Sequence, residues 1–400
     1  MTRVQVRRLV ALMVLAAIAG AAVALLTGGG GSRPAGHGKK SFLDALAPVL
    51  ARPGGGATAT APGQPATRVP EIAAQLFMVG FPGKDATAPF FAGLRRRAWG
   101  AVVLDASNYA SQDQLAALTR HIGFVARSAH DPAPVVAAIQ LGGEDSSFPD
   151  LPPAEPEIAT ADAKDAATQA VQAGTDLRRL GVTMTLGPSA DLATPGGAWA
   201  DRGYDADPGT TSDDVAAAVA GYSAAHVLSV PGHFPGEGAA SRDPATGPAT
   251  VGLSLAQLRA ADLQPFEAVL RTAPAIQLSS AAYAAWDGVT PATLLPQAVR
   301  LLRSLGFRGA IVSGDLQAAT LATGGSPAQA AVAALKAGCD LLYLPGDASD
   351  QQAAWAAVAA AIRSGRVPAQ RVADALAHVQ ALQNAWGPAS GHPRGGLRHP

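Results

Sequence analysis

The sequence is poor in cysteine, aromatic residues and charge. Cys339 is the single cysteine in 400 residues, so neither an intrachain disulfide nor a multi-cysteine metal site can form, and we expect a small buried apolar residue. Aromatic residues make up 5% and charged residues 15% of the chain, and 30 Lys and Arg balance 30 Asp and Glu. This balance lacks the basic excess that binding to a phosphate backbone requires, so no nucleic-acid partner is predicted.

Apolar residues are abundant, at 48% of the chain, and they are unevenly placed. Arg3, Arg7 and Arg8 precede the apolar run Leu9–Leu26, which approaches the roughly 20 residues that cross a bilayer. We predict that residues 1–27 are an uncleaved signal-anchor or, alternatively, a cleaved signal peptide. With the positive charges inside, the rest of the chain would lie outside the cytoplasm, anchored to the cytoplasmic membrane or secreted.

The remaining chain divides by composition. Residues 28–69 are rich in Gly, Pro and Ala and are predicted to be a flexible linker, and residues 387–400 a disordered tail. Between them, residues 70–386 alternate short β-prone runs with Ala-rich helical stretches, which is typical of βα units. A single domain and a monomer are expected.

Eight β-prone runs predict an α/β fold of the (β/α)₈ barrel type. The predicted strands are Gln75–Phe81, Ala101–Asp105, Val135–Leu141, Val182–Leu186, Val227–Val230, Ala275–Ser279, Ala310–Ser313 and Leu341–Leu344. The predicted helices are Gln112–Ser128, Thr160–Leu180, Ser212–Ala225, Ala256–Leu270, Pro291–Leu305, Pro327–Ala337 and Gln351–Ser364. A doubly wound nucleotide-binding fold is the alternative, but no Gly-x-Gly-x-x-Gly joins a strand to a helix, so no cofactor is predicted.

Barrel enzymes place their active sites at the carboxyl ends of the strands. The polar residues that follow the predicted strands are Asp105, Asn108, Gln140, Asp191, His233, Ser280 and Asp315. They are the candidate site residues. No closely spaced set of His, Asp and Glu predicts a metal site.

Several motifs in order resemble the family 3 glycoside hydrolases, in their bacterial β-N-acetylglucosaminidase branch. They include QLFMVGF at 75–81, GPSADL at 187–192, DRGYDADP at 201–208, PGHFPGEG at 231–238 and AGCD at 337–340. The resemblance covers roughly residues 70 to 385. It implies a barrel and retaining hydrolysis, which requires a nucleophilic carboxylate and a proton donor, and no metal.

The chain departs from that family where the chemistry resides. The family's nucleophile is the first Asp of a Ser-Asp-Asp-Leu string, which here is Ser313–Leu316 with Gly314 at the nucleophile position. Asp315 is one residue late, and strand alternation predicts that it points away unless a bulge re-aims it. The family's Asp-Ser-His acid/base triplet corresponds to Asp243–Ala245, with Ala245 in place of the imidazole. Asp315 and Asp243 are therefore the only substitute catalytic candidates at these positions.

The binding residues implied by the resemblance are partly kept. Arg202, His233 and Asp191 match sugar-contacting positions, and Gln140 is a neutral substitute for a lost Asp. Gly232 replaces the family's Lys and Ser280 replaces a His. Glu144 and Glu237 could form a new carboxylate pair if both entered the pocket.

We therefore expect an envelope protein that binds a glycan or peptidoglycan fragment of the N-acetylglucosamine type, with its hydrolytic machinery lost. The alternatives are an active β-N-acetylhexosaminidase with relocated carboxylates and a structural envelope scaffold. Two inward carboxylates within reach of one sugar favour an enzyme, a polar pocket with Arg202 and His233 but no such pair favours binding, and a filled pocket favours a scaffold.

Overall fold

A computed structural model describes residues 68–385, and these residues contain ten strands and twelve α-helices. The strands are β1 Phe77–Val79, β2 Ala101–Leu104, β3 Val135–Ala138, β4 Met184–Thr185, β5 Leu228–Ser229, β6 Thr250–Val251, β7 Ala275–Gln277, β8 Ala282–Tyr283, β9 Ala310–Val312 and β10 Leu342–Leu344. The helices are α1 Val69–Gln75, α2 Phe90–Leu94, α3 Gln112–Ser128, α4 Ala163–Arg179, α5 Pro208–Ala224, α6 Leu255–Ala260, α7 Gln264–Val269, α8 Pro296–Ser304, α9 Leu316–Thr323, α10 Pro327–Ala337, α11 Ala348–Arg363 and α12 Ala369–Ala385.

Eight parallel strands close into a barrel, as predicted. Six of them form one sheet in the order β10-β1-β2-β3-β4-β5, and β7 pairs with β9. Parallel bridges between Phe234 and Leu278 and between Val312 and Leu341 join the two sheets. The sequence therefore predicted all eight barrel strands. The short strand pair β6 and β8, which lies outside the barrel, was not predicted.

The helices surround the barrel because each has one apolar face. In α3, Leu115, Leu118, Ile122 and Val125 are buried, and the Ser111 side chain caps the helix by accepting from the Gln114 N–H. The predicted bounds of α3 and α10 are confirmed. Helices α1, α2, α9 and α12 were not predicted.

Two predicted helices are wrong as single elements. Pro291–Leu305 consists of a 3-10 turn, Ala292–Leu294, followed by α8, and Ala256–Leu270 consists of the two helices α6 and α7. Pro265 lies at the start of α7. Proline lacks an N–H and its ring clashes with the carbonyl four residues earlier, so a continuous helix cannot pass through it.

The predicted membrane segment and tail, and the predicted linker up to residue 67, lie outside the described residues, while Val69, the last residue of that linker, begins α1. Between residues 68 and 385, none of the helices combines the length and the apolar content needed to cross a bilayer.

Candidate functional site

A cavity of about 230 Å³ lies at the carboxyl ends of the barrel strands. Its charged lining consists of Asp145, Arg202, His233, Glu237, Asp243 and Asp315. Trp199, Ser280 and Tyr343 also line it. The end of the barrel predicted from the sequence thus carries a polar pocket, and this pocket is not filled by side chains.

Asp191 lies behind His233 and fixes the imidazole. The Asp191 side chain is fully buried, and its Oδ2 is 2.8 Å from His233 Nδ1. The same carboxylate accepts from the backbone N–H groups of His233, at 3.1 Å, and Glu237, at 2.6 Å. Because Nδ1 is committed to Asp191, Nε2 is the ring nitrogen that remains for a ligand. The sequence prediction placed both residues at the site but not in contact.

Glu237 completes an ion-paired group with this histidine. Its Oε2 is 3.6 Å from His233 Nδ1, and its Oε1 accepts from the Ser279 hydroxyl at 2.6 Å and the Ser280 N–H at 2.9 Å. Burial alone would lower the pKa of His233, but the charges of Glu237 and Asp191 outweigh it and raise that pKa to about 9. Burial raises the pKa of Glu237, and the nearby imidazolium partly opposes the rise. The imidazole is therefore protonated at neutral pH.

These three side chains are also the one group among residues 68–385 whose geometry could suit a metal ion. Potential ligand atoms of Asp191, His233 and Glu237 lie within 4.8 Å of one another. Spacing in the sequence gave no sign of this, because Asp191 is separated from His233 by 42 positions. Asp191 and His233 already contact each other directly, so their ligand atoms are paired with each other in this structure.

Arg202 bridges two carboxylates across the pocket. Its guanidinium is 3.0 Å from Asp243 Oδ2 and 3.4 Å from Asp145 Oδ1, and it donates to the Ala198 carbonyl at 2.9 Å. It also lies 4.2 Å from the centre of the Trp199 ring, in cation–π range. Asp243 is consequently held by a cation, and its Oδ1 accepts from the Ala245 N–H at 2.8 Å.

Trp199 contacts both cationic groups of the pocket. Its ring centre is 4.8 Å from that of His233, at an interplanar angle of 39°. Trp199 and Arg202 are held close together by a turn in which the Trp199 carbonyl accepts from the Arg202 N–H at 3.1 Å. Sequence reasoning missed Trp199, although an aromatic residue three positions before a predicted sugar-contacting arginine was an available signal.

Asp315 lines the cavity, contrary to the prediction from strand alternation. Strand β9 ends at Val312, so the alternation no longer applies three residues later. Asp315 is instead the N-cap of α9, where its Oδ1 accepts from the N–H groups of Gln317 at 2.7 Å and Ala318 at 3.4 Å. Burial raises the pKa of Asp315, and the two helix N–H groups oppose the rise.

Gly314 is tightly packed on the side where a Cβ would stand. A Cβ built there would lie 2.3 Å from Ser280 Oγ and 2.8 Å from the Leu278 carbonyl oxygen. Ser280 is held in this place because its hydroxyl donates to the Asp315 carbonyl at 3.0 Å. The backbone at the position that the family resemblance assigns to the nucleophile therefore has no room for a side chain.

Besides Asp191, four predicted residues do not line the cavity. The buried Asn108 amide donates to the carbonyls of Phe81 and Gly83, and Asp105 accepts from the Ser107 N–H, so both organise the loop after β2.

Gln140 is fully buried, and its amide donates to the carbonyls of Phe148, Leu151 and Pro152 and accepts from the Phe148 N–H. It holds the loop after β3 and does not line the cavity. Glu144 is exposed and does not line the cavity either, so the suggested pair of Glu144 and Glu237 does not form. Its neighbour Asp145 enters instead.

Comparisons with known proteins agree with this architecture. Residues 69–382 match the model of the glycosyl hydrolase family 3 N terminal domain. A β-hexosaminidase of Stenotrophomonas maltophilia is 30% identical over 283 residues, which is 67% of this chain and 83% of that protein. One from Methylococcus capsulatus is 32% identical over 259 residues, 61% of this chain and 75% of that protein.

Solved structures give the same fold. A glycoside hydrolase family 3 β-N-acetylglucosaminidase from a Paenibacillus species has a TM-score of 0.75 and 27% identity, over 81% of this chain and 64% of that one, slightly under two thirds of its length. A β-N-acetylhexosaminidase from Beutenbergia cavernae has a TM-score of 0.71 and 27% identity, over 79% of this chain and 98% of that one.

Proposed function

Since the chain belongs to glycosyl hydrolase family 3, we propose that its cavity binds a glycan of the N-acetylglucosamine type and that the hydrolytic machinery is lost. The ligand would be a terminal sugar of a peptidoglycan-type fragment, bound outside the cytoplasm by a monomer. The relatives named β-hexosaminidase and β-N-acetylglucosaminidase support the sugar class.

The packing at Gly314 is the observation that carries this proposal. Retaining hydrolysis needs a carboxylate that attacks the anomeric carbon. Glycine supplies none, and the contact distances of 2.3 Å and 2.8 Å to Ser280 and Leu278 leave no space for one without backbone movement. Restoring an Asp there would require the wall of the pocket to shift.

The other carboxylates in the pocket are already engaged. Asp145 and Asp243 share Arg202, Glu237 accepts from Ser279 and Ser280, and Asp315 caps α9. A carboxylate that is held by a cation or by N–H groups is a weaker nucleophile than a free one, because the same bonds stabilise its charge before the reaction.

The pocket nevertheless has the groups that hold a sugar. The protonated His233 can donate from Nε2, and Arg202 is partly exposed, at 23% of its side chain. The volume of about 230 Å³ is below the roughly 300–1,000 Å³ typical of drug-sized sites, which suits one ring better than a chain of rings. An open pocket of this kind disfavours the scaffold alternative.

Hydrolysis with relocated carboxylates is the second candidate, and one observation favours it. Glu237 and Asp315 both line the cavity and both have a pKa raised by burial. A raised pKa is what a general acid needs at neutral pH. Asp315 could then donate the proton to the leaving oxygen, whereas Glu237 is held as a carboxylate by the protonated His233.

Turnover of an aryl β-N-acetylglucosaminide by the purified full chain in neutral detergent separates the two candidates. We expect no release of the aryl group above the buffer rate. The deciding variants are Glu237→Gln and Asp315→Asn, because both replacements keep the shape and the accepting oxygen. Turnover that either variant abolishes would overturn the loss of hydrolysis.

Calorimetric titration with N-acetylglucosamine and its β-linked oligomers tests binding independently of turnover. We expect saturable binding that His233→Gln weakens at least tenfold, since a charged donor to a sugar hydroxyl is lost. Arg242→Gln, which removes an exposed charge outside the cavity lining, is the matched control and should bind like the unchanged chain. Absence of heat with every sugar would contradict glycan binding.

A further inference from the structure

A second cavity, of about 250 Å³, lies at the opposite end of the barrel. Val135, Thr183 and Leu228 line it at the amino ends of β3, β4 and β5. Its charged lining consists of Arg120, Arg127 and Arg178, with no carboxylate among the lining residues. The candidate glycan cavity, by contrast, is lined by four carboxylates and two cationic groups. The two ends of the barrel therefore differ in the charge of their cavity linings.

The arginines stand beside apolar walls. Ile122, Val136 and Leu382 line the same cavity. Gly123 leaves room for the Arg127 guanidinium, since a Cβ added at that position would lie 3.1 Å from Nη1. Neither Arg120 nor Arg127 takes part in the ion pairs found within residues 68–385. A ligand of this cavity would thus carry an anionic group on an apolar body.

The helix directions extend the positive charge over this whole end. The last turns of α3, α4, α8, α10 and α11 lie here, and each carries Arg or Lys. Asp113, Asp165 and Asp350 are in first turns, at the end of the glycan cavity. Each placement suits the helix dipole by itself. Arg303 is paired with Asp340 and Arg179 with Asp176, so the basic face around the cavity consists mainly of Arg120, Arg127, Lys336 and Arg363.

Both ends of the described chain leave from this face. Helix α1 precedes β1, and the Ala74 carbonyl near the end of α1 accepts from the Gly100 N–H. The Gly100 carbonyl accepts from the side chain of Gln383, which lies near the end of α12 and lines the cavity. Residues 386–400 contain two arginines and no acidic residue, and residues 28–67 contain four Lys and Arg against Asp44. Both segments have a net positive charge in the sequence, of the same sign as the arginines, so an external anion complements the charge of the cavity better than either segment does.

We propose that the arginine cavity binds the phosphate headgroup of an anionic phospholipid. The guanidinium groups of Arg120 and Arg127 pair with the phosphate oxygens, and the apolar walls receive the glycerol and the first carbons of the acyl chains. The barrel then rests with its basic face on a membrane, and the glycan cavity points away from it. This inference does not depend on the proposed function, because it concerns the other end of the barrel.

The test is a calorimetric titration of the full chain in neutral detergent micelles, with heats of dilution into empty micelles subtracted. The probes are dihexanoyl phosphatidylglycerol, dihexanoyl phosphatidylcholine and inorganic phosphate. We expect saturable binding of the phosphatidylglycerol, at least tenfold tighter than the other two. The double variant Arg120→Gln/Arg127→Gln should weaken it about tenfold or more, because each cation near an anionic lipid surface contributes to binding.

The control is Arg242→Gln/Arg259→Gln, which removes two exposed arginines that do not line the cavity and should leave binding unchanged. Gly123→Leu places a side chain in the cavity and keeps every charge, and leucine is favourable in a helix. It therefore tests whether the cavity is the binding site even if the double variant fails to fold. Equal binding of phosphatidylcholine, phosphate binding as tight as that of phosphatidylglycerol, or binding that survives Gly123→Leu would each overturn the proposal.

Discussion

At position 314 the close approach of Ser280 limits which residue can stand beside the pocket. We predict that Gly314→Ala destabilises the chain by roughly 1–3 kcal/mol, because the added Cβ would lie 2.3 Å from Ser280 Oγ and must displace it. Urea unfolding of the full chain in neutral detergent measures the change. The double variant Gly314→Ala/Ser280→Gly removes Ser280 Oγ, the atom nearest to the added Cβ. It should therefore recover part of the unfolding free energy that Gly314→Ala loses. A urea midpoint for Gly314→Ala equal to that of the unchanged chain would show that Ser280 and its neighbours can move aside without loss of stability.

The charge on His233 predicts a pH dependence. Its pKa is raised to about 9 in the folded chain by Glu237, Asp191 and the more distant Asp243, against an ordinary value of 6.5. The protonated imidazole therefore adds stability that is fully present below about pH 6.5 and is lost as the pH rises through 9. The contribution is on the order of 3 kcal/mol, since each pKa unit corresponds to about 1.4 kcal/mol.

Unfolding free energies measured from pH 6 to pH 10 test this, with His233→Gln as the comparison. The variant should lack most of the decline above pH 6.5, and sugar binding by the unchanged chain should weaken over the same interval. Identical slopes for the two proteins would mean that another group governs this pH range. The protonation of Glu237 is coupled to that of His233, so the difference between the two pH profiles reports on the pair and not on His233 alone.

The sequence predicted individual site residues better than their partners. His233, Arg202 and Asp191 were identified from motifs, and all three belong to the site. The pairing of Arg202 with Asp145 spans 57 positions and depends on how two loops fold over the barrel end. Gln140 follows a strand just as His233 does, yet its side chain binds its own loop. A motif carries no information on such distant packing.

At the scale of elements, Asp315 has a structural role that can be separated from its charge. It is the N-cap of α9, and its side chain accepts from the second and third residues of the helix. We predict that Asp315→Ala lowers the unfolding free energy by about 1 kcal/mol, whereas Asp315→Asn keeps the accepting oxygen and most of the stability. Thermal unfolding of the two variants checks this. Ser326→Ala, at the capped start of α10, is a reference for the loss of a cap.

The elements were predictable where their pattern was long or repeated. The eight barrel strands are apolar runs separated by regular helical stretches, and their order alone indicated the barrel. Strands β6 and β8 have two residues each, as β4 and β5 do, but they lie outside the predicted β-prone runs. Helix α12 went unpredicted, although Val372, Leu376, Val379 and Leu382 recur at helical spacing and are buried.

At the scale of the whole molecule, the last helix is joined to the barrel through a buried carboxylate. Asp340 is fully buried at the amino end of β10, and its Oδ2 accepts from the Ile311 N–H at 2.9 Å and from Arg303 at 3.2 Å. From α12, Arg371 binds Oδ1, and His378 Nδ1 lies 3.1 Å from Oδ2. One side chain thus connects α8, β9 and α12 at the basic end of the barrel.

We predict that Asp340→Asn lowers the unfolding free energy by about 3 kcal/mol or more, because it leaves the guanidinium groups of Arg303 and Arg371 without their counter-charge in a buried setting. The amide oxygen can still accept from Ile311, so the loss reports on charge and not on a missing backbone partner. Asp176→Asn is the matched control, since it breaks a partly exposed pair with Arg179 and should cost less than about 1 kcal/mol. Urea unfolding followed by circular dichroism measures both. Equal losses in the two variants would mean that α12 is held by its apolar face alone, and then Leu376→Ala should exceed both.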